Sequence, residues 1–249
     1  MPIAIKKKTG SAQPTRHVAP LEKAPPEPQP CESGLDSSNR TTRTPLGWIL
    51  DGSPSLEAFA EAQLHCAEAM VEELRRLPTT GRSILMNMVQ LTTPPAATGF
   101  AEIEVFRVPS LQSTSGTPLH LALDRMTHDL GRLFADLRQC GVERTESVVI
   151  LTTDGYANGC TQDVLNTSIQ SFLAVGKRWS VTNLVVGVGT RLNEPVLKSL
   201  VNSVPPLRLD ELKATCLTPF IQRLAERVSQ SRRGQNLELE LPDEITPIE

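Results

Sequence analysis

The chain has 249 residues, of which 39% are hydrophobic and 21% charged, and its net charge at pH 7 is −3. A chain of this length forms one large domain or two small ones. No run approaches the ~18 apolar residues of a membrane-spanning helix, and the N-terminus lacks the apolar core of a secretory signal. We therefore expect no contact with a membrane.

The cysteines favour the cytoplasm as the location. There are five, and they are far apart, with no Cys-x-x-Cys pair that would indicate a zinc site or a redox motif. An odd, scattered count is typical of a reducing compartment.

The first 45 residues differ in composition from the rest. They contain three consecutive lysines, a proline-rich run at 20–30 and few apolar residues, so that they cannot bury enough surface to offset the entropy of ordering. We predict a disordered tail at 1–45, a domain at 46–230 and a C-terminal tail at 231–249.

The chain beyond residue 45 is acidic, with 18 Lys and Arg against 24 Asp and Glu. An acidic domain argues against nucleic acid as the ligand.

The first half of the domain alternates between strand and helix patterns. Residues 46–50 are almost entirely apolar, which predicts a strand buried on both faces. Apolar residues then recur at spacings of three and four from Leu56 to Leu74, as in an amphipathic helix. Residues 83–91 predict a second strand. Residues 101–108 alternate between apolar and acidic, which predicts a half-exposed, antiparallel edge strand.

The second half continues the alternation. A helix is predicted from Thr117 to Leu137, a buried strand at 147–152, a helix at 161–176, a strand at 184–188, a short helix at 193–201 and a short strand at 207–209. An apolar stripe at 212–228 predicts a last helix, and residues 237–241 alternate either as a strand or as a solvated tail. This order predicts an α/β fold with a doubly wound, mostly parallel sheet, helices on both faces and one antiparallel edge strand.

Oxygen-bearing side chains follow the predicted strands. Asp51, Ser53 and Ser55 come directly after the first strand, Thr117 opens the second helix, and Asp154 follows the strand at 147–152. Ligands of open α/β sheets bind at the carboxyl ends of the strands, so these side chains should converge. Hydroxyls and carboxylates suit Mg²⁺ or Mn²⁺ rather than zinc. The pattern predicts a site for one divalent cation.

Each of the three segments also has an ordinary structural explanation. Ser53-Pro54 and Thr117-Pro118 match a hydroxyl N-cap followed by proline at the first helical position. Asp154-Gly155 matches a turn after a strand. The two interpretations are compatible, because a serine that caps a helix can also lie beside a cation.

Four segments resemble the von Willebrand factor A domain with its metal-ion-dependent adhesion site (MIDAS). They are residues 48–55, 115–119, 149–155 and 184–189, and the likeness extends from about residue 46 to 229. More narrowly, the chain is similar to the bacterial cytoplasmic group found with tellurium-resistance (TerY-like) proteins, whose members accompany protein kinases and phosphatases in stress-response operons. The resemblance implies a Rossmann-like fold.

The resemblance also implies roles for the five residues. Ser53 and Ser55 would ligate the metal directly, whereas Thr117, Asp51 and Asp154 would do so directly or through water. The cofactor would be Mg²⁺, with Mn²⁺ or Ca²⁺ as alternatives, and a partner protein would supply an acidic ligand. A Ser/Thr kinase and a phosphatase are the partners that the TerY-like group suggests, and we expect neither nucleic acid nor a membrane.

The sequence departs from the family at three places. Pro54 stands where the family usually has glycine, and the loop after Asp154, residues 155–159, lacks the acid that is common there. The predicted first strand is also short and begins directly after the tail. None of these departures removes a ligand. Within that loop, Tyr156 and Asn158 either line the rim of the site or are only turn residues.

Two functions remain open from the sequence. The first is a metal-dependent interaction module without enzymatic activity. The second is a Mg²⁺-dependent phosphatase or other hydrolase with Asp51 as nucleophile or metal ligand, although the haloacid-dehalogenase pattern requires an aspartate at the position of Ser53. His120, one turn into the second helix, is either a general base or a structural histidine.

Overall fold

The structure of the chain is a computed structural model that describes residues 42–76, 82–112, 115–202, 204–209 and 246–248. Most of the predicted tail, the last predicted helix at 212–228 and the alternating residues 237–241 lie outside the described residues. The fold below concerns the described part alone.

Strands and helices alternate along the chain, as the apolar patterns predict. The described elements, in chain order, are β1 (Thr42–Leu50), a short 3-10 helix (Pro54–Phe59), α1 (Ala60–Arg76), β2 (Arg82–Gln90), β3 (Ala96–Ala97), β4 (Ala101–Glu102), α2 (Leu119–Gln139), β5 (Ser147–Thr153), α3 (Gln162–Trp179), β6 (Val181–Val188), α4 (Glu194–Ser199), β7 (Leu207–Leu209) and β8 (Thr246–Pro247).

The strands form one mixed sheet in the order β3-β2-β1-β5-β6-β7-β8, and β4 also pairs with β2. The pairs among β2, β1, β5, β6 and β7 are parallel, whereas β3, β4 and β8 pair antiparallel at the two edges. The predicted fold class, a mostly parallel sheet with an antiparallel edge strand, is confirmed. The chain leaves β1 toward β2 and later returns to its other side through β5. The carboxyl ends of β1 and β5 therefore flank a topological switch point, where open α/β sheets bind ligands.

Both faces of the sheet are buried, which explains the nearly continuous apolar strands. Successive side chains of β1 point to opposite faces. Trp48 and Leu50 pack in a cluster with the apolar stripe of α1, while Ile49 packs in a second cluster with α2 and α3. The helices thus form a layer on each side of the sheet and leave its carboxyl edge to the loops.

The strand β1 begins at Thr42, four residues before its predicted start. The sequence places residues 42–45 in the tail because that region is poor in apolar residues, but they pair with β2 in register. The buried Arg43 forms an ion pair of 2.7 Å with Glu102, although its Nε makes no hydrogen bond within the described residues, and the hydroxyl of Thr145 donates to that of Thr44. These contacts partly offset the cost of burying polar residues in the strand.

The predicted edge strand at 101–108 is only two residues long. Its orientation is antiparallel, as predicted, but the backbone N–H groups of Val105 and Phe106 both donate to the carbonyl of Glu102 and form a turn. Ile103 is buried whereas Val105 is 67% exposed, so the two do not share a face. The alternation of the sequence here reflects a turn rather than an extended strand.

Two observations bear on the compartment and on membranes. Cys160 is a free thiol, whereas Cys140 is disulfide-bonded. A disulfide is not what a reducing compartment predicts, so the cytoplasmic location stays a prediction. Among the helices of the described residues, none has both the length and the apolar character needed to cross a bilayer.

Candidate metal centre

Asp51, at the carboxyl end of β1, is fully buried and held on both oxygens. Its Oδ1 accepts a hydrogen bond from the backbone N–H of Ser53 (2.9 Å), and its Oδ2 accepts one from the hydroxyl of Thr153 (2.7 Å). Burial raises the pKa of this carboxyl, and the nearby charge of Asp154 raises it further, while the hydrogen bonds from Thr153 and Ser53 lower it. A buried carboxylate with this balance is stabilised in its ionised form by a cation.

The hydroxyls of Ser53 and Ser55 lie side by side, with 3.0 Å between their oxygens. Ser53 precedes the 3-10 helix and Pro54 is at its start, but the Ser53 side chain makes no capping hydrogen bond. The expected helix start is therefore present, whereas the capping role of the serine hydroxyl is not. The two hydroxyls hydrogen-bond to each other rather than to the backbone of the helix.

Asp154 follows β5 and is 3% exposed. Its Oδ1 accepts a hydrogen bond from the backbone N–H of Tyr156 (2.9 Å), and its carbonyl accepts one from Asn193 (2.8 Å). Gly155 has a φ of +80°, which favours glycine. The turn interpretation is thus correct for Asp154, and the same turn brings its carboxylate near enough to Asp51 for the two charges to interact.

Thr117 is joined to the loop after Asp154. Its backbone N–H donates to Oδ1 of Asn158 (2.7 Å), and the N–H of Asn158 donates to the Thr117 carbonyl (3.0 Å). The N-cap of α2 is Pro118 rather than Thr117, and it makes no side-chain capping bond. Thr117 is buried but does not cap the helix. Asn158 thus fastens the Thr117 segment to the loop that carries Asp154.

The chemistry of these side chains fits a hard divalent cation. Two carboxylates and three hydroxyls offer oxygen ligands alone, which Mg²⁺ and Mn²⁺ prefer. Within the described residues, no group of three or more His, Cys, Asp and Glu is placed to hold a metal, so a zinc centre of the usual kind is not found there. The like charges of Asp51 and Asp154 would repel, and a cation between them would remove that repulsion.

Comparison with known proteins gives the fold. No protein-family model matches the chain, and no curated protein matches it. Among solved structures, a von Willebrand factor type A protein from Catenulispora acidiphila superposes with a TM-score of 0.58 at 14% identity, over 76% of this chain and 43% of that one. The chain has the von Willebrand factor type A fold.

Two further structures with this fold support the same conclusion. The pilus adhesin SpaC from Lactobacillus rhamnosus GG has a TM-score of 0.57 at 11% identity, over 76% of this chain and 30% of that one. The ArnB paralog VWA2 from Sulfolobus acidocaldarius has a TM-score of 0.51 at 13% identity, over 73% and 45%. The chain spans less than half of the length of each of these three proteins.

Two residues beside the site were not predicted from the sequence. Thr153 bonds to Asp51, and its hydroxyl also accepts the N–H of Gly155 (3.1 Å). Gln63, fully buried on α1, donates to the carbonyl of Asp51 (3.0 Å) and accepts from the hydroxyl of Thr152 (2.8 Å). A signal for Gln63 existed, since it is a polar residue on the apolar stripe of α1.

His120 and Tyr156 also have defined positions in this von Willebrand factor type A fold. His120 is 8% exposed, and its Nδ1 is buried without a hydrogen-bond partner in the described part of the chain. Tyr156 is half-exposed at the rim, beside Asp154. Asn158 does more than form a turn, because it anchors Thr117.

Proposed function

We propose that the chain is a metal-dependent protein-interaction module that holds Mg²⁺ with Asp51, Ser53, Ser55, Thr117 and Asp154. The observation that supports this most strongly is the pair of hydroxyls 3.0 Å apart, next to the buried Asp51. An ordinary helix start would use the first hydroxyl as a cap, and it does not.

Hydrogen bonds within the protein hold the proposed ligands in place before a metal binds. The hydrogen bonds from Ser53 and Thr153 fix the carboxylate of Asp51, and Asn158 fixes Thr117. Ser55 is exposed at the surface, so one side of the site is open to a partner. A bound divalent cation would supply positive charge at this opening, where Mg²⁺ commonly retains exchangeable positions. A carboxylate of another protein is the ligand that such a position favours.

The identity of the partner is inferred from the sequence alone. The resemblance to the TerY-like group supports a Ser/Thr kinase and a phosphatase as partners, in a bacterial stress response such as tellurium resistance. In this proposal the chain is an adaptor and not an enzyme. A pull-down in the presence of Mg²⁺ and in the presence of a chelator, analysed by mass spectrometry, would identify partners that require the metal.

A Mg²⁺-dependent phosphatase is the second candidate. Asp51 at a strand end is placed as a phosphatase nucleophile would be, but its carboxylate is fully buried and both oxygens already accept hydrogen bonds. Metal-dependent hydrolysis of generic phosphate esters that disappears in Asp51→Asn would favour this second function over the first.

Calorimetry of Mn²⁺ and Mg²⁺ binding tests the metal site directly. We expect the affinity to fall by more than about tenfold in Asp51→Ala and in Thr117→Ala, since even residues behind the ligands affect affinity by that factor. Thr145→Ala is the control, because Thr145 is a buried threonine at the opposite end of the sheet. Unchanged affinity in both site variants would show that these segments are only turns and helix starts.

A further inference from the structure

A cavity of about 540 Å³ adjoins the candidate metal centre. Its wall includes Thr92, Gln112, Gly116, Pro118, His120 and Asn158. Gly116 and Pro118 flank Thr117 in the chain, and Asn158 bonds to the backbone of Thr117 at 2.7 Å. The cavity and the proposed metal site therefore share one wall.

His120 is the feature of this cavity that lacks an internal explanation. The side chain is 8% exposed and lines the cavity, yet its Nδ1 is buried and has no hydrogen-bond partner among the described residues. Buried polar groups almost always have a partner, so an unpaired ring nitrogen requires a reason. Because the side chain lines the cavity, a ligand bound there would lie against the imidazole.

The start of α2 favours negative charge in the cavity. The helix is 21 residues long, has no side-chain cap at its N-terminus and has no acidic residue in its first turn. The N–H groups of Leu119 and Leu121 bond to the carbonyls of Thr117 and Pro118, so the helix acts on the cavity through its dipole, whose positive end lies at this terminus. His120 and Leu121, in this first turn, both line the cavity. Among the described residues that line it, none is Asp, Glu, Lys or Arg.

We propose that this cavity binds a second carboxylate of the same acidic peptide whose first carboxylate ligates the metal. This inference rests on the proposed function, because the metal holds the first carboxylate. The second carboxylate would accept a hydrogen bond from His120 and would lie at the positive end of the α2 dipole. The module would thus select partners with two nearby acids rather than any exposed acid.

Synthetic peptides test this selectivity on the full chain loaded with Mn²⁺. The probes are acetylated and amidated glycine peptides with one aspartate and, one or two residues later, a second aspartate, an asparagine or an alanine. We expect the peptide with two aspartates to bind about tenfold or more tightly than the alanine peptide, with asparagine between them, since charge-assisted hydrogen bonds exceed neutral ones. Equal affinity for the three peptides, or no binding of any, would overturn the inference.

Variants of two histidines on one helix assign the effect to the cavity. In His120→Phe, which keeps an aromatic ring and removes both nitrogens, the preference for the second aspartate should disappear. In His128→Phe, the same change at an exposed position of α2, the preference should persist. A preference that survives in His120→Phe would overturn the inference. Leu121→Glu, a second variant at a half-buried lining position, should abolish the preference by placing a carboxylate in the cavity.

Metal affinity is measured for every variant in the same experiment. If wild type does not bind Mn²⁺, the proposed function is wrong. If wild type binds Mn²⁺ and does not distinguish the peptides, only the role of the cavity is wrong.

Discussion

The hydroxyl of Thr153 donates a hydrogen bond of 2.7 Å to the carboxylate of Asp51; Thr153 ends β5 and Asp51 directly follows the neighbouring parallel strand β1. The same hydroxyl accepts the N–H of Gly155, in the turn that carries Asp154. One side chain therefore joins the carboxylate of Asp51 to the turn that carries Asp154.

Thr153→Val should weaken binding of Mn²⁺ by about 10–100-fold, the range found for residues that orient metal ligands. The change keeps the shape of the side chain and removes the hydroxyl that orients Asp51. Thr145→Val is the matched control, because that buried hydroxyl bonds to Thr44 at the other end of the sheet. Calorimetry that found the same metal affinity in the two variants would contradict a positioning role for Thr153.

Stability should depend on pH through Asp51. Burial raises the folded pKa of this carboxyl above its usual value of 3.8, so the folded state holds the proton more tightly than the unfolded state. Without metal, in the presence of a chelator, the free energy of unfolding should therefore decrease as pH rises from 3.8 through the folded pKa, because Asp51 must then ionise in its buried position. We expect Asp51→Asn to gain stability relative to wild type over this rise, measured by urea unfolding.

The metal should reverse this trend. Mg²⁺ binds the ionised carboxylate, so saturating Mg²⁺ should stabilise wild type at neutral pH and leave Asp51→Asn unchanged. The metal affinity of wild type should fall as pH decreases through the raised pKa of Asp51. An Mg²⁺-induced stabilisation of equal size in both proteins would place the metal elsewhere.

Gln63→Leu should lower the free energy of unfolding by about 1–3 kcal/mol, the usual effect of leaving buried polar groups unpaired. The amide of Gln63 donates a hydrogen bond to the Asp51 carbonyl and accepts one from the Thr152 hydroxyl. The Thr152 hydroxyl in turn accepts a hydrogen bond from the indole N–H of Trp48. Gln162→Leu, on the exposed surface of α3, is the control and should change stability by less than about 0.5 kcal/mol. Chemical denaturation of both variants measures the difference.

Gly52→Ala should destabilise the protein by about 1–3 kcal/mol, as overpacking does. A Cβ at this position would lie 2.5 Å from the backbone carbonyl oxygen of Gln112. The backbone N–H of Gln112 donates a hydrogen bond to the side chain of Gln90, which restrains this segment from moving away. Gly131→Ala is the opposite case, because a Cβ there, in the middle of α2, would meet no described atom within 4 Å apart from its chain neighbours and the backbone of its own helix. That variant should be more stable by about 0.5–1 kcal/mol, since alanine favours a helix over glycine. Thermal or urea unfolding that ranked the two variants the other way would contradict this geometry.

The sequence predicted the order of the elements because each strand is a nearly continuous apolar run and each helix has an apolar stripe. The same runs located Asp51 and Asp154 at strand ends. The sequence failed where polar residues extend a buried strand, at Arg43 and Thr44, and where alternation arises from a turn, at Val105. Local patterns measure hydrophobicity and cannot show which polar groups find partners.

The sequence by itself determined an α/β chain with oxygen-bearing residues after its strands. Only the tertiary structure decided that Ser53 does not cap its helix, that Thr153 orients Asp51, and that Asn158 fastens Thr117 to the loop after Asp154. These relationships join residues that the chain separates by up to 102 positions. Their geometry depends on strand register and on the burial of both faces of the sheet, which no single segment of the sequence specifies.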